Sequence, residues 1–210
     1  MQLYTQWRNS AGERVRIALA LGGLAYDYVA IGTLAPGAYA RINPQGLMPA
    51  LRVGDGRVIA QSTAILEYLE ETHPHPPLLP AEPVLRAQAR AFAQLITNDL
   101  HPINNNRVRK YLGTRLGADE GAVRAWYRHW VALALTALET TLAERERAWP
   151  FYFGDAPGWA DLHLVPQMAN ARRFGCDLSP YPLLVAVDAR CAALEAFRRA
   201  RPEAQPDFPG

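Results

Sequence analysis

Residues 8–12 read Arg-Asn-Ser-Ala-Gly, which puts a guanidinium, an amide and a hydroxyl side by side. They follow a short apolar run, Leu3-Tyr4, and begin a stretch that is polar on one side and apolar on the other at helical spacing. The expectation is a strand, a turn and a helix. A helix start carries unpaired N–H groups and about half a positive charge, so it favours anions. Asn9 or Ser10 stands where an N-cap belongs. One reading is that Ser10 only caps the helix. The other is that the turn stabilises a thiolate carried in by a ligand, since the turn has no sulfur of its own. A free thiol ionises at about pH 8.5, and lowering that by two units takes about 2.7 kcal/mol. A helix terminus supplies about 0.3–2 kcal/mol and one hydrogen bond to a charged group about 1.5–3 kcal/mol. Together they suffice without a general base. The absence of cysteine at the turn argues against a thioredoxin-type oxidoreductase.

Two further stretches suit a peptide ligand. In "GLMPALRV" (46–53), Pro49 precedes an expected strand, so it either starts that strand or leaves the backbone of Met48 to pair with a bound peptide. In "AQSTAILEYLEE" (60–71), Gln61 and Ser62 stand at a helix start. Ser62 caps that helix, or its free N–H groups hold a ligand carboxylate.

The elements that must carry these residues alternate over the first 75 positions. Strands are expected at Gln2–Gln6, Tyr26–Ile31, Ala50–Val53 and Arg57–Ala60, with Gly54-Asp55-Gly56 as a hairpin turn. Helices are expected at Ser10–Leu21 and Ser62–Thr72, and Thr33–Ile42 reads as a loop with one helical turn. The order β-α-β-α-β-β-α makes the first two strands parallel through a right-handed crossover. Pro74, Pro76, Pro77, Pro80 and Pro83 mark a linker. Beyond it Leu85–Arg115, Glu120–Arg147, Trp159–Phe174 and Pro182–Ala200 read as helices, the first of them broken at His101-Pro102. The tail Arg201–Gly210, with three prolines, is expected to fray or lie flat on the surface. The fold class is therefore an α/β domain at residues 1–80 followed by an all-α domain at 85–210.

Half of the 210 residues are hydrophobic, enough for a substantial core, and the net charge is +2. Arginine supplies every basic residue but Lys110, and arginine grips carboxylates with two parallel hydrogen bonds. So small an excess of charge points away from nucleic acid. Glu144-Arg145-Glu146-Arg147 reads as a solvated helix face. Cys176 and Cys191 have neither redox nor zinc spacing and are expected to be buried or inert, so no metal site is expected. Trp126, Tyr127 and Trp130 at helical spacing are expected in the core. No apolar run is long enough to cross a bilayer, and no signal-peptide pattern is present, so the expected location is the cytoplasm.

"RVRIALALGGLAYDY" (14–28), "NPQGLMPAL" (43–51), "QSTAILEYLEE" (61–71), "LHPINNNRVRKYL" (100–112), "FGDAPGWADLHLVPQMANARRFGCDLSPYPLL" (153–184) and "AQPD" (204–207) together resemble the zeta class of glutathione transferases, over nearly the whole chain. The resemblance implies a thioredoxin-like, glutathione-binding N-terminal domain, a helical C-terminal domain, and a homodimer. It implies that Met48, before a cis Pro49, pairs with the cysteinyl backbone of glutathione, that Gln61 and Ser62 hold its γ-glutamyl end, and that Gln45 reaches its glycyl end. His101 and Asn105 are implied at the domain interface, near the ligand. Two positions depart from the class. Asn9-Ser10-Ala11 replaces its usual Ser-Ser-Cys or related pattern, so the thiolate donor is Asn9 or Ser10. Gly158 replaces its usual Ser or Thr helix cap, leaving Asp161 to face that helix start.

The activity implied is glutathione-dependent cis–trans isomerisation of a maleyl diketo acid, maleylacetoacetate or maleylpyruvate, in the breakdown of aromatic compounds. The thiolate adds to the cis double bond, the resulting single bond rotates, and the thiolate leaves. Enolate charge beside carboxylates calls for arginine. Arg8 and Arg173 are the expected substrate clamps, with His101 a binding residue; the plainer readings are surface charge for Arg8 and a helix-dipole partner for Arg173. Two alternatives stand: conjugation of glutathione to small electrophiles, and a non-enzymatic protein that binds glutathione or a protein partner.

Overall fold

The structure is a computed structural model that describes residues 1–145 and 147–210. By packing, the chain forms two compact units: Met1–Leu78 together with Ala192–Gly210, and Leu79–Cys191. This division differs from the 1–80 and 85–210 spans read from the sequence, because residues 192–210 pack with the α/β unit.

The first unit is built on a four-stranded sheet in the order β2-β1-β3-β4, with β1 at Gln2–Thr5, β2 at Asp27–Ala30, β3 at Ala50–Arg52 and β4 at Val58–Ala60. β1 and β2 are parallel, as the crossover requires, and β3 is antiparallel to both β1 and β4. Register places Tyr4 beside Val29 and Ala50, and Tyr39 from α2 (Ala38–Ile42) packs on that face. The residues between these, Leu3 and Thr5, point to the other face, where α1 (Ser10–Leu21) and α3 (Ser62–Thr72) lie against one another.

α1 is not the half-solvated helix that its charges suggest. Ala11 through Leu19 are all buried, Glu13, Arg14 and Arg16 among them. The physical reason is a second cover. α9 (Glu195–Ala200) packs against α1, and the tail beyond it reaches Trp7, ahead of α1. The tail is pinned, not frayed. Asp207 accepts hydrogen bonds from the Trp7 N–H and the Tyr28 hydroxyl, and the Phe208 ring meets the Trp7 ring edge-on.

The second unit is helical throughout. α4 (Pro83–Gln94) runs into a π-helical turn at Leu95–Leu100, and α5 begins only at Asn106, ending at Leu116. The helical stretch Leu85–Arg115 is thus divided at His101-Pro102, as expected where proline cannot donate to the helix ladder. α6 spans Glu120–Ala143 and α7 spans Trp159–Arg173. The expected helix Pro182–Ala200 is two helices, α8 (Pro182–Ala192) and α9. Of the three aromatics on α6, Tyr127 is in the core while Trp126 and Trp130 are half-buried. Cys191 is buried and Cys176 half-buried. The solvated face at 144–147 needs correction at Arg145, whose guanidinium turns inward to the carbonyls of Trp149, Phe151 and Tyr152; Glu146 lies outside the described residues.

At the start of α7 the Asp161 carboxylate accepts the N–H of Gly158 at 2.8 Å and of Tyr152 at 3.0 Å. It therefore performs the capping that Gly158, lacking a side chain, cannot. No helix is long and apolar enough to cross a membrane among the described residues.

Candidate functional site

The turn after β1 is organised by Asn9. Its backbone is extended, its carbonyl accepts from Glu13 N at 2.8 Å, and its side-chain oxygen accepts from Gly12 N at 2.5 Å. Asn9 is therefore the cap, and Ser10 is the first helical residue. With the amide oxygen committed to Gly12, the amide nitrogen of Asn9 is the end left to donate outward. The Ser10 hydroxyl beside it makes no hydrogen bond within the described residues, and both side chains are half-buried. Gly12 is required for this closeness. A Cβ there would stand 2.1 Å from Thr5 Oγ1 and 2.6 Å from Asn9 Oδ1. Arg8 is exposed, with its guanidinium 4.9 Å from the centre of the Trp7 ring.

Met48-Pro49 is a cis peptide bond. Around it, Tyr39 and Asn43 both donate to the Leu47 carbonyl, at 2.8 and 2.6 Å, which holds the strand entry rigid. The Met48 backbone itself makes no hydrogen bond within the described residues. Gln61 precedes α3 with a φ of 72°, a left-handed conformation that a non-glycine residue adopts only when its surroundings impose it. Its side chain does not cap α3. Instead the Gln61 amide nitrogen donates to Gln45 Oε1 at 2.8 Å, joining two of the expected ligand residues. Ser62 is not the cap either: it is buried at the first position of α3, and its hydroxyl accepts from Arg14 at 3.4 Å. The start of α3 thus offers backbone N–H groups with no side-chain cap.

Arg14 and Arg16, which carry no expected role from sequence, are buried in α1. Their signal was present, as three charges at 13, 14 and 16 within an otherwise apolar helix, but a charged stripe usually faces water. Burial lowers the Arg14 pKa to about 10 and lowers that of Arg16, with Glu13 opposing the shift in both. Burial also pushes the Glu13 carboxyl up to about 7, against the pull of Arg16. Arg16 donates to three carbonyls, Gln6, Trp7 and Ala200.

In the helical unit, His101 is half-buried at the end of the π-helical turn, its N–H bonded to the Ile96 carbonyl. Asn105 is the N-cap of α5, its side-chain oxygen accepting from Arg107 N at 3.0 Å. Arg173, in the last turn of α7, lies 4.9 Å from the centre of the Phe174 ring, and Arg109 of α5 lies 4.5 Å from the same centre. Both line a cavity of about 710 Å³ whose other basic walls are Lys110, Arg124, Arg128 and Arg172, against a single acid, Glu120. Arg172 is neutralised by Asp188, and Arg128 donates to the Phe174 carbonyl. A space of this size and sign suits an organic anion.

Comparisons with known proteins place the chain in a family. The model of the glutathione S-transferase N-terminal domain matches residues 10–72. A maleylpyruvate isomerase from a Ralstonia species is 47% identical over 99% of both chains. A maleylacetoacetate isomerase from Pseudomonas aeruginosa is 44% identical, covering 100% of this chain and 99% of its own. The holo structure of a maleylpyruvate isomerase, described as a zeta-class bacterial glutathione transferase, superposes with a TM-score of 0.93 at 48% identity over 99% of both chains. The chain belongs to the zeta class of glutathione transferases. A maleylacetoacetate isomerase from Methylobacterium extorquens, solved with malonate and glutathione bound, also superposes with a TM-score of 0.93, at 40% identity over all of both chains. The α/β fold of the first unit and the all-helical second unit are those of this class.

Proposed function

We propose that this zeta-class chain is a glutathione-dependent cis–trans isomerase of a maleyl diketo acid, of the maleylacetoacetate or maleylpyruvate kind. One arrangement carries the reading: within a single unit, the Asn9–Ser10 turn, the unpaired Met48 backbone and the uncapped start of α3 present three sets of peptide- and anion-binding groups and no cysteine. The full-length likeness to isomerases named for these two substrates supports it.

Met48 pairs with the cysteinyl backbone of glutathione, Gln61, Ser62 and the N–H groups of α3 hold its γ-glutamyl carboxylate, and Gln45 holds the glycyl end. When bound, glutathione supplies a nucleophilic sulfur that adds reversibly to the cis double bond and is returned unchanged. The chain's own part is electrostatic. Asn9 and Ser10 donate toward the sulfur and the α1 terminus adds its partial positive charge, which keeps the thiol ionised near neutral pH. Arg8 binds one carboxylate of the substrate. Arg173, backed by the basic cavity beside it, binds a carboxylate or the developing enolate. His101 and Asn105 are assigned to ligand binding. A homodimer acting in the cytoplasm completes the reading.

The test is stoichiometric. Incubated with glutathione and maleylpyruvate or maleylacetoacetate, the protein should remove the absorbance of the cis diacid while free thiol stays constant. Loss of one thiol per turnover would establish conjugation instead, and no turnover with bound glutathione would establish a binding protein.

A further inference from the structure

The turn at residues 8–10 is held from both sides, by Arg16 of α1 and by Asp207 of the tail. The turn is short, Arg8 is exposed, and Asn9 and Ser10 are half-buried. Asn9 fixes Gly12 below it, and a clamp on the other side comes from the far end of the chain. Asp207 Oδ2 accepts the Trp7 N–H at 3.1 Å, while Asp207 Oδ1 accepts the Tyr28 hydroxyl of β2 at 2.6 Å. Phe208 packs its ring edge-on to the Trp7 ring at 5.2 Å between centres. The carbonyl side of the same peptides is held by Arg16, which donates to Gln6 O at 3.3 Å and Trp7 O at 3.2 Å. Arg16 also donates to Ala200 O at 2.9 Å, and so fastens α9 to the turn. The tail is anchored in turn by Gln205, whose amide nitrogen donates to the carbonyls of Arg199 and Arg201, both at 2.8 Å. Every polar atom of the Trp7 peptide unit is therefore held by a group from α1 or from the tail.

We propose that the segment Gln205–Phe208 is a built-in clamp on the thiolate-binding turn, with Asp207 the positioning residue that sets where Arg8 and Asn9 point. The proposal rests on the functional reading above, in which the Asn9 amide meets the sulfur. A hydrogen bond to a charged acceptor falls off steeply with misalignment, so a turn that wanders loses thiolate stabilisation before it loses ligand affinity. Met48, Gln61 and Ser62 hold the peptide part of the ligand from other elements and are untouched by the clamp. The carboxylate at 207 is the right group for this task, because its two oxygens accept from two donors at once. An amide of the same shape can accept through only one of them.

The test compares wild type with Asp207→Asn and with Tyr28→Phe, which frees one oxygen of the carboxylate without touching Trp7. The first readout needs no ligand: amide hydrogen exchange across residues 7–12 of the free protein. The expected result is faster exchange, about tenfold or more in Asp207→Asn and less in Tyr28→Phe. The second readout is the ionisation of bound glutathione, followed by the ultraviolet absorbance of its thiolate. Its pKa should rise by about half a unit or more in Asp207→Asn, while glutathione affinity changes less than about threefold. Turnover should fall at neutral pH and recover as the pH is raised. Unchanged exchange and an unchanged thiol pKa in Asp207→Asn, with or without a lower melting temperature, would make the tail merely structural and overturn the proposal. Wild type that binds no glutathione would overturn the functional reading, and the proposal with it. Wild type with a depressed thiol pKa, matched by the variant, would overturn the clamp alone.

Discussion

The Arg14 guanidinium, fully buried in α1, donates to the Ser62 hydroxyl at the first position of α3, 3.4 Å away. The two helix starts proposed to bind opposite parts of one ligand are thus tied to a single helix: α1 carries Asn9 at its tip and Arg14 one turn further on. A buried cation beneath an uncapped helix start adds to its positive field, and a carboxylate bound above it benefits from both. Ser62→Ala removes the acceptor and leaves the arginine to lose one bond. Glutathione should bind about tenfold more weakly, or about 1.4 kcal/mol, with the ionisation of the bound thiol unaffected. Calorimetry of glutathione binding checks the first and ultraviolet titration the second. Equal affinities would remove Ser62 from the site.

Asn9 and Ser10 separate by experiment because only one of them is the cap. Asn9→Ala deletes both the hydrogen bond to Gly12 and the donor aimed outward. It should cost about 1 kcal/mol of stability, the usual value of a lost cap, and raise the pKa of the bound thiol. Ser10→Ala removes a hydroxyl with no partner among the described residues, so stability should hold. Any change in the thiol's ionisation in that variant measures the hydroxyl's own contribution. Thermal melts and thiolate titration of the pair resolve the two roles.

Much of this was legible in the sequence because local rules acted without competition. The order of elements along the chain, the parallel first pair and the limits of α1 and α3 followed from alternation, turn residues and helical spacing. Asn9, Ser10, Met48, Gln61 and Ser62 followed from the residue types at helix starts and before Pro49, whereas Gln45, His101 and Asn105 were implied only by the resemblance to the family. What was not legible came from parts of the chain far apart in sequence. Glu13, Arg14 and Arg16 look solvated along the chain, yet all three are buried: Arg14 reaches Ser62 of α3, and Arg16 reaches the Ala200 carbonyl where α9 returns to pack on α1. Ser62 looks like a cap by position and is instead a partner of Arg14. The break at His101-Pro102 was legible from the proline, whereas the π-helical turn at Leu95–Leu100 that precedes it had no signal of its own.

Arg8 and Arg173 are assigned to the substrate's anionic groups, which predicts a signature in the substrate and not in glutathione. Arg8→Ala and Arg173→Ala should each raise KM for the diacid about tenfold or more, at about 1.4 kcal/mol per decade. Arg173→Lys should recover little, because an ammonium cannot form the paired bonds of a guanidinium. Steady-state kinetics with varied diacid and saturating glutathione make the measurement. An unchanged KM in both alanine variants would leave the basic cavity at Arg173 without a part in catalysis.

Burial also sets how stability depends on pH. The Glu13 carboxyl is pushed from 4.5 up to about 7 by desolvation, opposed by Arg16, Arg201 and Arg14 and reinforced by Glu203. The folded state therefore keeps a proton that the unfolded chain has released once the pH passes 4.5. Where the folded state holds more protons, stability falls as pH rises. The contribution is complete below pH 4.5 and is lost as the pH rises to about 7, for a total of about 2–4 kcal/mol. Asp161 behaves alike over a lower window, pushed from 3.8 to about 6 by burial against the hydrogen bonds of Gly158 and Tyr152. Denaturant unfolding should show stability declining from pH 5 to pH 7.5, the upper part of that decline belonging to Glu13. Glu13→Gln should flatten the curve above pH 6 and leave the fall below it, which Asp161 supplies. A curve of the same slope above pH 6 in Glu13→Gln would mean that another group carries the titration, and that the charges beneath the turn are not coupled to folding as their burial requires.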